Sequence, residues 1–99
     1  MTRVDEFNAE YDLETTPEIR LLDLESETGE LAKELLKASE YGESEFEPTP
    51  EFTEEFGDLY YSLLSLADEC GINPDDALES SMEKYRERFA SSDSVGSGE

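Results

Sequence analysis

The chain has 99 residues, enough for one small domain whose core is thin unless a partner subunit helps to cover it. Its 28 acidic against 7 basic residues leave a formal net charge of -21, which repels nucleic acid, and the absence of histidine excludes imidazole catalysis and His-bound zinc. Cys70 is the only cysteine, so an internal disulfide and a thiolate cluster are excluded, and no apolar run approaches the roughly 20 residues needed to cross a bilayer.

Charge of this size marks either a disordered acidic segment or a protein kept hydrated in a very saline cytoplasm. Hydrophobic residues make up 35% of the chain and recur at helical spacing, which favours a folded, halophilic protein. At about 1 M salt the Debye length shrinks to about 3 Å, and the self-repulsion is screened. The N-terminus has no apolar signal region, so a cytoplasmic location is expected.

In chain order, residues 1–15 read as an N-terminal arm in which Val4, Phe7 and Tyr11 lie at helical spacing and can pack on the remainder. Phe7 and Tyr11 are also candidates to stack on a base. Three helix starts follow, each written the same way: Thr16-Pro17-Glu18, Thr49-Pro50-Glu51 and Asn73-Pro74-Asp75. Each sets a capping side chain before a first-turn proline and an acid favoured by the helix dipole. The helices are expected over 17–40, 50–70 and 74–89, with Gly42 and Gly71 as stop signals and 41–48 as the one sizeable loop. The fold class is therefore all-α, with a helical domain over 16–89. The Ser- and Gly-rich tail, 90–99, has nothing to bury and is expected to be disordered. Cys70, close to Leu63, Leu66 and Ala67, reads as a small buried hydrophobe.

The helical wheel sets the chemistry beside the core. Leu21, Leu24, Thr28, Leu31 and Leu35 form one stripe, flanked by Glu27, Glu30 and Glu34. Phe52, Phe56, Leu59, Leu63 and Leu66 form a second, with Glu55 and Asp58 to one side. Residues three apart share a helix surface, so Glu27 with Glu30, and Glu55 with Asp58, can each direct two carboxylates to one point. Four carboxylates from two helices repel one another unless a cation holds them, and hard oxygen ligands suit Mg2+ or Mn2+. Each motif also carries a glycine before its last acid, Gly29 and Gly57, which points to close backbone approach there. The third helix buries Leu78, Met82, Tyr85 and Phe89 and carries Lys84 and Arg88 on its flank, aligned to hold phosphate oxygens. Arg86 is expected to pair with acidic neighbours.

In a chain this acidic the bare Glu-x-x-Glu spacing recurs, at Glu40 with Glu43 and at Glu51 with Glu54. The flanking leucine stripes and the repeated glycine distinguish Glu27, Glu30, Glu55 and Asp58. Glu34 is open to a second reading, as a solvated acid or a partner of Lys33 or Lys37.

With these residues in place, the sequence resembles the MazG-like all-α nucleoside triphosphate pyrophosphohydrolases. Their Glu-x-x-Glu, variable gap and Glu-x-x-Asp pattern matches Glu27, Glu30, Glu55 and Asp58, and the strings ETGELAKELLKASEYG and EEFGDLYYSLLSLADECGINPDDALESSMEKYRERF are similar to the family over roughly 17–89. The resemblance implies that the four acids bind Mg2+ and that basic residues of the following helix contact phosphate, most clearly Lys84. It also implies a homodimer or homotetramer in which short antiparallel helical units pair into a four-helix-type bundle. Ser26 stands where the family often has a second acid, which removes an outer carboxylate but none of the four principal positions.

The implied reaction is hydrolysis of a nucleoside triphosphate between the α and β phosphates, giving the monophosphate and pyrophosphate. Glu27 or Glu34 is then the candidate general base, with Lys84 and Arg88 stabilising developing phosphate charge. Two alternatives stay open: a non-catalytic acidic helical interaction module, and an acidic mimic of nucleic acid. An EF-hand is excluded, because the stretch from Asp68 lacks the ligand spacing and the central glycine.

Overall fold

The computed structural model describes residues 3–91, and over them the protein is all-α, with four helices and no strand: α1 Arg3–Glu10, α2 Pro17–Ala38, α3 Pro50–Cys70 and α4 Pro74–Ser91. The expected disorder of the tail falls on residues 92–99, outside the described residues, apart from Ala90 and Ser91, which are helical.

The repeated helix starts act through their side chains. Thr16 Oγ1 accepts the Ile19 N–H at 3.2 Å, Thr49 Oγ1 accepts that of Phe52 at 3.0 Å, and Asn73 Oδ1 accepts that of Asp76 at 3.0 Å. Each cap satisfies one of the donors that a helix N-terminus leaves without a partner. α2 ends at Ala38, two residues before the expected boundary. Glu40, Tyr41 and Gly42 all take left-handed backbone there, at φ 50°, 58° and 92°, so the stop is spread over three residues rather than resting on Gly42. Gly71, at φ 68°, closes α3.

α2 and α3 pack as an antiparallel pair, and α1 lies against α3. The start of α2 meets the end of α3 through Arg20 and Glu69, whose Nε and Oε2 are 3.5 Å apart. Glu69 Oε2 also accepts the Thr15 N–H at 2.8 Å, and Arg20 Nη2 donates to the Leu13 carbonyl. The arm is thus stitched to both long helices at one point. A second polar contact seats α1: Asn8 is fully buried, its Nδ2 donates to Ser65 Oγ at 3.1 Å, and its Oδ1 accepts the Tyr61 hydroxyl at 2.6 Å. The short helix expected in the arm is present, but its buried centre is this amide rather than Phe7 or Tyr11.

The expected core stripes stay open in a single chain. Leu24, Leu31, Phe52, Leu59 and Leu66 are half-buried, whereas Leu21, Leu35, Phe56, Leu63, Leu78, Met82, Tyr85 and Phe89 are exposed, Phe89 at 76%. Ala67 is the one buried hydrophobic residue among those described. The physical reason is the layer count. α2 and α3 bury their shared seam, and α4 leaves the end of α3 without building a comparable interface, so no element covers the outer side of the stripes. Cys70 is likewise exposed, at the end of α3 and beyond the reach of any covering layer, contrary to the expectation of burial.

Candidate metal centre

The antiparallel seam carries the acidic motifs to each other. Glu27 lies two helical turns beyond Arg20 on α2, and Asp58 lies three turns before Glu69 on α3, so both acids return to the faces that the ion pair joins. Glu55 is one turn from Asp58. The result is a cluster in which Glu27, Glu55 and Asp58 each offer a carboxylate oxygen within 4.8 Å of the other two. Glu27 and Glu55 are half-buried and Asp58 is exposed, so the cluster faces solvent along one edge.

Glu30 is not part of that three-oxygen set. Its Oε1 is 3.5 Å from Lys33 Nζ, within the same turn of α2. Glu34 is more enclosed, with 14% of its side chain exposed, and its Oε2 is 3.6 Å from Lys37 Nζ. Both nevertheless act on the cluster electrostatically. Partial desolvation, followed by the carboxylates of Asp58, Glu27, Glu30 and Glu34, holds Glu55 above the ordinary carboxylate value. Five acids therefore share one field, with Glu55 at its centre.

The donor set fits a hard divalent cation. In an octahedral Mg2+ site with oxygens at about 2.1 Å, oxygens on opposite sides of the ion lie about 4.2 Å apart. Adjacent oxygens of such a site lie about 3.0 Å apart, and three carboxylate oxygens all within 4.8 Å of one another are close to this range. With no nitrogen or sulfur donor in the set, Mg2+ and Mn2+ fit better than softer metals.

Lys84 and Arg88 do not join the cluster. On α4, Lys84 Nζ lies 5.3 Å and the Arg88 guanidinium carbon 5.6 Å from the Tyr85 ring centre, and this helix makes no substantial packing with α2. Arg86 pairs with Glu79 at 2.7 Å and Glu83 at 2.8 Å, as expected. Gly29 and Gly57 do not mark a close approach within the chain: a side-chain carbon added at either would meet nothing within 4 Å.

The sequence reading passed over Arg20, Glu69, Asn8 and Ser65. A signal existed for Arg20, a lone cation in the aliphatic run Ile19-Arg20-Leu21-Leu22. Asn8 carried none, since one polar residue in a short amphipathic helix normally faces water.

The protein is thus an all-α chain whose acidic helix motifs bring three carboxylates together across an antiparallel seam. Residues 15–91 match the family model of the MazG nucleotide pyrophosphohydrolase domain, and the chain belongs to that family, which places it among the hydrolases. No curated protein and no solved structure matches the chain. Among the described residues no helix is long and apolar enough to cross a membrane.

Proposed function

We propose that the protein hydrolyses a nucleoside triphosphate between its α and β phosphates, in a reaction that depends on Mg2+, with Mn2+ able to substitute. The observation that carries this reading is the convergence of Glu27, Glu55 and Asp58 from two helices in a chain of the MazG family. These three carboxylates would hold the ion, with Glu30 as the fourth ligand. A divalent ion bound there offsets phosphate charge and lowers the pKa of bound water.

The remaining steps fall to the chain's own residues. A water adds to phosphorus, the bond to the bridging oxygen breaks, and pyrophosphate leaves. Glu34 accepts the proton of that water, since it lies on the same face of α2 as Glu27 and Glu30 and its ion-pair partner among the described residues is the exposed Lys37. Glu27 takes that role if its second oxygen is left uncommitted by the metal. Lys84 and Arg88 bind the phosphate oxygens once α4 is brought over the acid cluster.

A second copy is the means of bringing it there. The open apolar stripes on α2, α3 and α4 support a homodimer or homotetramer in which paired units complete a four-helix-type bundle. The net charge of -21 supports a cytoplasmic protein of a very saline cell, for which nucleic acid and membranes are not partners.

The test is pyrophosphate release from a panel of nucleoside triphosphates in multimolar KCl, with and without Mg2+, alongside Asp58→Ala and a direct titration of Mn2+. Mg2+-dependent release that is lost in Asp58→Ala, together with weakened Mn2+ binding, is the expected result. A folded protein that binds Mn2+ but releases no pyrophosphate is an acidic helical interaction module instead.

A further inference from the structure

The arm is seated on α3 by contacts of two kinds. Asn8 is bonded to Ser65 and Tyr61, and Phe7 meets the Tyr61 ring edge-on at 6.2 Å. One turn back along α1 and one turn on along α3, the contact is between two acids, since Asp5 and Asp68 share a side-chain hydrogen bond. Both are half-buried, and with Asp75 of α4 they line a cavity of about 270 Å³ at the end of α3.

Two ionised carboxylates only accept hydrogen bonds, so a bond between them requires a proton on one. Burial comes first, then the charges of Asp5, Glu69 and Glu14, then the bond to Asp5, and together they hold the Asp68 carboxyl above the ordinary value. Asp68 is therefore the donor and Asp5 the acceptor. From α2, Arg20 reaches this end of α3, where its guanidinium is engaged by Glu69 and the Leu13 carbonyl. The chain lacks histidine, the usual side chain for a pH response, and a displaced carboxyl can take that part.

The proton has a mechanical consequence because α1 is only 8 residues long, too short to persist without packing. Once the arm lifts, Asp68 loses the charge and the bond of Asp5, and its carboxyl returns towards the ordinary value. The docked state thus binds more protons between the two values, so docking is strongest below that window and weakens as pH rises through it.

We propose that Asp5 and Asp68 form a proton-operated latch, which holds α1 on α3 while Asp68 carries its proton and loosens the arm when that proton passes to solvent. Arg3 and Val4 of the same helix form one wall of a cavity of about 730 Å³, and Gly57 and Tyr61, on either side of Asp58 in sequence, belong to the other. Loosening the arm opens this cavity along the stretch of α3 that carries Asp58. The latch does not depend on hydrolysis, and its test reads none.

Asn8 and Asn73 are the only asparagines and glutamine is absent, so the full chain has two side-chain amides to follow by NMR. Asn8 is fully buried under the arm, whereas Asn73 is exposed at the start of α4. The ratio of their exchange rates with water, Asn8 over Asn73, cancels the pH dependence common to such amides and reports opening of the arm. It is measured in molar KCl without divalent metal, from about pH 4 to about pH 8. In the parent the ratio should rise with pH, by about tenfold for each unit by which docking raises Asp68. In Asp68→Asn it should stay flat, because the new amide donates to the Asp5 carboxylate at every pH. Asp5→Ala should lose the rise as well, and it decides alone if Asp68→Asn does not fold. Glu6→Gln, exposed on the same helix, should keep it. A flat ratio in the parent, a rise that survives in Asp68→Asn or in Asp5→Ala, or one abolished by Glu6→Gln would each overturn the latch.

Discussion

Arg20 and Glu69 form the most enclosed ion pair among the described residues, with 7% and 10% of their side chains exposed, and they set the register in which Glu27 meets Asp58. Each partner has a further bond to the arm, to the Leu13 carbonyl and the Thr15 N–H respectively. Removing one member strands the other in a desolvated position, which costs more than the pair itself contributes. Arg20→Met is therefore expected to destabilise the fold by about 3 kcal/mol. Glu69→Gln, whose amide oxygen can still accept the Thr15 N–H, leaves the enclosed Arg20 guanidinium without its counter-charge and is also expected to lose about 3 kcal/mol. Denaturant unfolding in molar KCl checks both losses, and a Glu69→Gln variant as stable as the parent would show that charge at Glu69 plays no part.

Glu55 links function to stability with opposite signs. Its carboxyl is held above the ordinary value in the folded state, first by desolvation and then by Asp58, Glu27, Glu30 and Glu34. Between the unfolded and the folded values the folded state binds more protons, so the stability of the metal-free protein falls as pH rises through that window. At neutral pH the ionised group is a net burden on the fold. Glu55→Gln is expected to raise the melting temperature of the metal-free protein at pH 7, to flatten its pH dependence, and to weaken Mn2+ binding. A variant that melts lower than the parent at pH 7 without metal would contradict this account.

Gly29 and Gly57 lie inside helices with open space at the position of a side chain. Glycine in a helix interior costs about 1 kcal/mol relative to alanine. If the surrounding space is solvent in the working assembly, Gly29→Ala and Gly57→Ala each stabilise by close to that amount. If a second copy packs against these surfaces, the added methyl group destabilises and weakens association. Thermal melts and sedimentation on the two variants distinguish the cases, and the proposed bundle requires the second outcome at one glycine or the other.

Salt acts on the whole molecule. With a net charge of -21 on 99 residues, repulsion opposes compaction, and at about 1 M KCl the screening length falls to about 3 Å, shorter than most distances between surface carboxylates. The melting temperature is expected to climb steeply as KCl is raised from about 0.1 M to about 2 M. Mg2+ at millimolar concentration should add a further increment that Asp58→Ala lacks. A melting temperature indifferent to KCl would remove the halophilic reading while leaving the metal centre untouched.

Local chemistry was legible in the residues. Thr16, Thr49 and Asn73 cap helices where the Pro-acid signature stands, because a cap depends on a side chain and a backbone N–H three residues apart. The pairing of Glu27 with Glu55 and Asp58 was legible too, since helix periodicity sets which acids share a face and two successive amphipathic helices joined by one loop pack antiparallel. Periodicity also marks which residues avoid water, but it does not say which surface covers them. The apolar stripes were therefore legible as stripes, whereas the exposure of Phe56, Leu63 and Phe89 in the single chain was not, because what covers them is a question of neighbours.

The tertiary structure alone decided the rest. The burial of Asn8 and the Arg20–Glu69 pair depend on contacts between residues about fifty positions apart, where a polar group is tolerated because its partner is already in place. Sequence by itself determined the helices, the family and the acids that can meet. Only the packing of α1 and α2 on α3 decided that three of those acids converge, that Glu30 and the cations of α4 stand outside them, and that Phe7 of the arm meets the Tyr61 ring edge-on. Helix formation follows spacing along the chain, whereas a site follows the distances that packing sets between helices.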